Sequence, residues 1–223
     1  MKNDRFWKNK SIIIYIALPH HTRFLTPVAE KLSSKGARIN YVVGQAEKAQ
    51  EITAIDLNVD YDHVFDFVTE EDLHDILKNY NALKKPFADI FSTDFTFESS
   101  LVTVTDKTLF ATCQEYIGFK NLIKQKKPDL CFVLHERNRW AKMFSFWAKK
   151  HNIPMLSLQE GLGHGIDYLF TGHAQYSTLN LVWGERMKGK LVHFEAPEER
   201  VIPVGNTHLD KEIKYQAQNN IRQ

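Results

Sequence analysis

The sequence predicts an α/β fold, a doubly wound, mostly parallel sheet of about six or seven strands, and three observations point to it. Short apolar runs rich in β-branched residues, such as IIIYI, INYVV and LCFVL, alternate with amphipathic helical stretches over most of the 223 residues. Strands buried on both faces beneath helices have that composition. Residues 11–44 run as strand, polar loop, helix and strand, the spacing of a right-handed βαβ crossover. Polar residues then recur just after strand ends: His20, His21 and Arg23 after the first, His135 and Glu136 after a later one, Gln159 and Glu160 after the next. In open parallel sheets ligands bind outside the carboxyl ends of strands at a topological switch point, so this edge is the predicted site.

Taken in order, residues 1–10 read as a tail, 11–205 as the domain and 206–223 as a polar linker or the start of something further. Basic residues before the first apolar run imitate a secretion signal. The run is short and β-branched, lacks a small-x-small cleavage site and leads into Pro19, His20 and His21, as a strand would. The next helix, FLTPVAEKLSSK, closes at Gly36. Residues 46–57 have helical spacing, and 62–68 alternate apolar with polar as a third strand does. Residues 70–82 read as a helix capped by Thr69, with acidic residues in its first turn and Leu73, Ile76, Leu77 and Tyr80 on one face.

Residues 86–105 read either as a short strand pair or as a connection carrying exposed aromatics. Helical spacing returns over 107–126, ends near Pro128 and gives way to the strand that delivers His135 and Glu136. Residues 138–151 form a helix with Trp140, Met143, Phe144 and Trp147 on its apolar face. A strand ending at Gln159, a short strand over 179–183, a helical turn or two over 185–190 and a last strand over 200–204 complete the pattern.

A formal charge of +2, from 29 basic and 27 acidic residues, provides no global field for non-specific nucleic-acid binding. An anion must therefore be gripped locally. Cys113 and Cys131 are too few and too far apart for a disulfide framework or a metal knuckle, and read as reduced thiols of a cytoplasmic protein. No apolar stretch reaches the ~20 residues of a bilayer span. Phe6, Trp7, Lys8 and Lys10 form either a solvated tail or a peripheral membrane contact.

Three groups of residues have the chemistry of a site. A histidine in the loop of His20 and His21 can take a proton from a hydroxyl near neutral pH, and Arg23 adds charge to an amide-lined anion site at the helix start. In the second group, Glu136 either orients His135 or acts as a base, and Arg137 and Arg139 either hold phosphate or carboxylate or belong to an exposed, ion-paired helix cap. The third is QEGLGHG, in which Gly161, Gly163 and Gly165 either bring backbone amides to a ligand, with Glu160 and His164 at the cleft, or make a plain tight turn. The loop lacks the full GxGxxG spacing, and there is no Walker loop and no GxSxG elbow. A zinc set of His20, His21, His164 and His173 lacks HExxH or short paired spacing, so neither a metal nor a cofactor is expected.

The opening, IYIALPHHTRFLTPVAEKLSSKGARINYVVG, resembles the first βαβ of GT-B glycosyltransferases and of the related UDP-N-acetylglucosamine 2-epimerases. PDLCFVLHE, IPMLSLQEG, LVWGERMKGKL and ERVIPVGNTHLD are similar to the segments of CDP-glycerol glycerophosphotransferase-like enzymes that end the first domain and enter the interdomain linker. The resemblance implies a Rossmann-like, acceptor-side half of a GT-B fold. His21, or His20, would occupy the place of the acceptor-activating base, with Glu160 as the other candidate. Arg23, Arg137 and Arg139 would balance phosphate charge. His135, Glu136, Gln159, Gly161, Gly163, His164 and Asn206 would line the substrate cleft.

The implied reaction is transfer of a sugar from a nucleotide-sugar donor to a glycan or lipid-linked acceptor hydroxyl, in bacterial surface polysaccharide synthesis at the inner face of the membrane. The donor would be held by a second domain absent from this chain, or by a partner chain. Half a cleft forfeits most of the advantage of positioning both substrates, so the chain by itself is expected to be inactive. Two alternatives stand beside this one: half of a sugar-nucleotide 2-epimerase, and a non-catalytic scaffold subunit.

Overall fold

The computed structural model describes residues 6–44, 61–91, 99–136, 138–161 and 176–206, with side chains outside 87–106. Its core is one seven-stranded sheet, β1 (Ser11–Ile16), β2 (Arg38–Val43), β3 (Tyr61–His63), β4 (Leu130–Leu134), β5 (Met155–Leu158), β6 (Leu179–Val182) and β7 (Val201–Pro203). The order is β3-β2-β1-β4-β5-β6-β7 and every pair is parallel. The expected doubly wound α/β fold is therefore the observed one. Strand order reverses at β1, which pairs with β2 on one side and β4 on the other, so the switch point lies between β1 and β4.

Alternation along β1 divides the core in two. Ile13 and Tyr15 face Val42, Val133, Phe119, Leu122 and Phe144, whereas Ile12, Ile14 and Ile16 face Phe24, Leu25, Ala29, Val43 and Phe132. The first set packs beneath α3 (Ser99–Lys126) and α4 (Arg139–Lys150), the second beneath α1 (Thr22–Ser34). Phe144 is wholly buried against Tyr15 and Phe119, with ring centroids 5.7 and 5.4 Å away. Phe144→Ala is expected to cost about 3–5 kcal/mol, read as a lowered urea midpoint with an unchanged slope.

Gly36 ends α1 as expected. Its φ of +91° allows a Schellman closure, in which the Ala37 N–H donates to Leu32 O and the Gly36 N–H to Ser33 O. Residues 6–10 are tied to this end: the Asn9 N–H donates to Gly36 O, Trp7 packs on the α1 side of the core, and Phe6 stays 62% exposed. Asp129 anchors the start of β1, accepting from Lys10 Nζ and the Ser11 N–H, each at 2.8 Å.

Those two bonds, from Lys10 first and then Ser11, hold the Asp129 carboxyl below its ordinary 3.8. A carboxyl lowered in the folded state contributes stability that is present above that ordinary value and lost as pH falls through the lower one. The melting temperature of Asp129→Asn is accordingly expected to fall less steeply on acidification below about pH 4 than that of the wild type.

Three expectations change. Residues 62–68 are not one strand: β3 stops at His63 and Val64–Phe67 turn as a 3-10 helix. Here the Asp66 carboxylate accepts the His63 N–H and His63 Nδ1 accepts the Phe65 N–H, local bonds that compete with a sheet ladder. The chain can turn so close to α3 because Gly118 has no side chain; a Cβ there would lie 2.5 Å from Val64 O.

The helix predicted over 70–82 begins with one 3-10 turn, Glu70–Asp72, whose capping box pairs Thr69 with Asp72, and continues as α2 (Leu73–Phe91). Ile76 is buried and packs with Tyr80, Cys113 and Ile117, while Leu73 and Leu77 remain 50% and 42% exposed. The buried face is thus narrower than the spacing predicts. Finally, residues 86–91 and 99–105 are helical rather than a strand pair, because α2 runs through Pro86 to Phe91 and α3 starts at Ser99, whereas 92–98 lie outside the described residues. The helix expected over 46–57 and residues 207–223 of the expected linker lie outside the described residues.

The predicted helix over 138–151 is α4, capped by Asn138 Oδ1, which accepts the Ala141 N–H at 2.8 Å. The helical turns near 185–190 form α5 (Glu185–His193). No helix among the described residues is long and apolar enough to cross a membrane.

Candidate functional site

The ends of β1, β4 and β5, adjacent in the sheet, bring four predicted residues together: His20, His21, His135 and Glu160. After β1 the chain turns through a 3-10 helix, Pro19–His21, held by the Thr22 hydroxyl donating to Pro19 O at 2.8 Å. That turn buries His21 and leaves the His20 side chain 42% exposed. After β4, His135 takes a left-handed conformation, φ +39°, and its N–H donates to Leu158 O at 2.7 Å. A non-glycine residue there is uncommon and here turns the chain sharply at the strand end.

After β5, Gln159 locks the loop. Its Oε1 accepts the Trp183 N–H at 2.7 Å and its Nε2 donates to Gly161 O at 2.7 Å. Trp183 in turn stacks on Phe24 of α1. Glu160, next in the chain, is the centre of the arrangement. One carboxylate oxygen meets His20 Nε2 in a short hydrogen bond, and the other lies 2.6 Å from His135 Nε2. The His21 ring lies edge-on to both neighbours, 4.8 Å from His20 and 5.9 Å from His135 between centroids.

Burial pulls the Glu160 carboxyl up, but the hydrogen bond and charge of His135, the hydrogen bond of His20 and the charge of His21 outweigh it and hold the group down at about 2. The carboxylate is therefore ionised throughout the neutral range. It can fix the orientation of an imidazole and stabilise the charge that the imidazole gains on accepting a proton.

Other predicted residues lie elsewhere. Glu136 turns inward, wholly buried, where its carboxylate accepts the Tyr176 N–H at 2.8 Å, the Ser177 N–H at 2.9 Å and the Ser177 hydroxyl. Burial raises its pKa, and the Ser177 and Tyr176 donors offset only part of the rise. This residue ties residues 176–177 to the end of β4. Arg139 reaches Glu115, with Nε 3.3 Å from Oε2, and stacks on Trp140. The Arg23 guanidinium lies over the Phe24 ring. Gly161 has φ +64°, as a tight turn requires, and Asn206 follows β7, two strands beyond β5. Arg137, Gly163, His164 and His173 lie outside the described residues.

Glu115 was missed by the reading of the sequence. It is fully buried on α3, accepting from Trp140 Nε1 at 2.9 Å as well as from Arg139. The signal was a lone carboxylate inside the apolar stretch FATCQEYIGF.

The sequence matches no family model and no curated protein. Its fold does match solved structures. UDP-GlcNAc 2-epimerase from Neisseria meningitidis, solved bound to UDP-GlcNAc, superposes with a TM-score of 0.58 at 14% identity, over 95% of this chain and 51% of that one. UDP-N-acetylglucosamine 2-epimerase from Rickettsia bellii gives a TM-score of 0.58 at 12% identity, over 96% of this chain and 49% of that one. At such identities the likeness is one of fold: a Rossmann-like α/β domain of the GT-B type. The chain spans about half the length of these neighbours.

Proposed function

We propose that this chain is the acceptor-binding half of a nucleotide-sugar-dependent GT-B enzyme that transfers a sugar to a glycan or lipid-linked hydroxyl in bacterial surface polysaccharide synthesis. Residues 11–205 form the acceptor-side domain, and residues 206–223 lead toward the part that holds the donor. The observation that carries this reading is the Glu160 carboxylate held between His20 and His135 at the switch-point edge. With Nε2 of His20 donating to Glu160, Nδ1 is the atom that accepts the proton of the acceptor hydroxyl. Glu160 then stabilises the imidazolium. His135 holds the carboxylate from its other side, and buried His21 backs the cluster.

A second reading, half of a 2-epimerase, is supported by the fold neighbours. In it the same groups move protons on the sugar of the nucleotide sugar itself. Histidine-labelled protein titrated with short glycans and, separately, with UDP-sugars distinguishes the two by NMR. Glycan-dependent shifts of the His20, His21 and His135 ring signals are expected for the acceptor half. Shifts caused only by the nucleotide sugar would favour the epimerase, and silence toward both would leave a scaffold subunit.

A further inference from the structure

Among the described residues, His20, His21 and Glu160 each place one ligand atom so that all three lie within 4.8 Å of one another. His135 stands outside this group and holds the carboxylate from its far side, its Nε2 being 2.6 Å from the second Glu160 oxygen. Imidazole nitrogens with one carboxylate oxygen suit zinc, cobalt or nickel, whereas magnesium and calcium prefer oxygen alone. We propose that His20, His21 and Glu160 bind one divalent first-row transition ion, for which Zn²⁺ is the reference, with His135 orienting the carboxylate.

A tetrahedral zinc site with bonds of about 2.0–2.2 Å holds its ligand atoms roughly 3.4 Å apart. Reaching that spacing from ligand atoms already within 4.8 Å of one another calls for side-chain rotation alone, on a backbone fixed by the Pro19–His21 turn and the Gln159 lock. His20 stands partly in solvent and offers the ion a way in, while His21 supplies a buried, pre-ordered wall. Short-spacing motifs do not reveal such a set, because its members follow two different strands, β1 and β5. No sugar contact enters the metal geometry, so this property goes beyond the acceptor reading and stands without it.

The test uses the full chain, stripped with a chelator and dialysed against Zn²⁺ or Co²⁺. One ion per chain is expected, with visible Co²⁺ absorption bands of low-symmetry coordination. His20→Ala and Glu160→Gln are each expected to weaken Zn²⁺ binding at least about tenfold, while His151→Ala and His193→Ala, which alter histidines elsewhere, leave it unchanged. Circular dichroism verifies that the two site variants stay folded. No bound ion in the wild type, or equal binding by the site variants, overturns the inference. Because no sugar takes part, a negative result leaves the glycan reading intact, and metal binding by a chain that ignores glycans leaves this inference intact.

Discussion

On the proposed acceptor reading, Glu160→Gln is expected to lower acceptor-dependent nucleotide release by about 10²–10⁴-fold, the range lost when a positioned proton-transfer system is disabled. Glutamine keeps the volume of the side chain and removes its charge. The remaining carbonyl oxygen can accept from one imidazole, not from both His20 and His135, and the amide group then presents N–H to the other ring. In the proposed mechanism, the proton taken up by His20 also loses its counter-charge. Most of the loss should fall on kcat, because the acceptor is bound by surfaces that the substitution leaves in place. A variant within threefold of wild-type kcat would remove Glu160 from the reaction and leave the His20 contact a structural ion pair.

Glu136→Ala is expected to produce the largest change in stability among the polar residues near the site. It leaves the N–H groups of Tyr176 and Ser177 without their carboxylate acceptor in a buried setting, at about 1–3 kcal/mol for each. Hydrogen exchange locates the effect. The amides of Tyr176, Ser177 and His135 should exchange faster, whereas those of β1, in the middle of the sheet, should keep their protection. Ser177→Ala, which removes only the hydroxyl donor, should cost less than half as much. Equal stability of Glu136→Ala and wild type would mean that the inward carboxylate is not what ties residues 176–177 to β4.

The two residues also mark where reading the sequence succeeds and where it stops. His135 and Glu136 are neighbours in a strand-end dipeptide, and both were assigned to a cleft on that ground. A left-handed turn at His135 sends the two side chains to different destinations, one to Glu160 and one into the interior. Backbone conformation at a single residue made that division. Arg139 shows the same limit. It has the chemistry of a phosphate ligand, yet it contacts a buried carboxylate contributed by a helix 24 residues earlier. Helix α3 is legible in the sequence only from Lys107, eight residues inside its start at Ser99, because Val102, Thr103, Val104 and Thr105 favour strands when read locally.

From the sequence alone came the class of fold and the sheet edge at which the side chains of His20, His21 and Glu160 gather. Periodicity, β-branched runs and the residues that follow each run are local properties, and local properties survive without coordinates. Tertiary structure decided which polar side chains meet. Placing β1, β4 and β5 side by side sets His20, His135 and Glu160 within hydrogen-bonding reach across 140 residues of chain. Strand order and the rotation of each terminal residue determine such contacts, and neither is encoded in the spacing of any one segment.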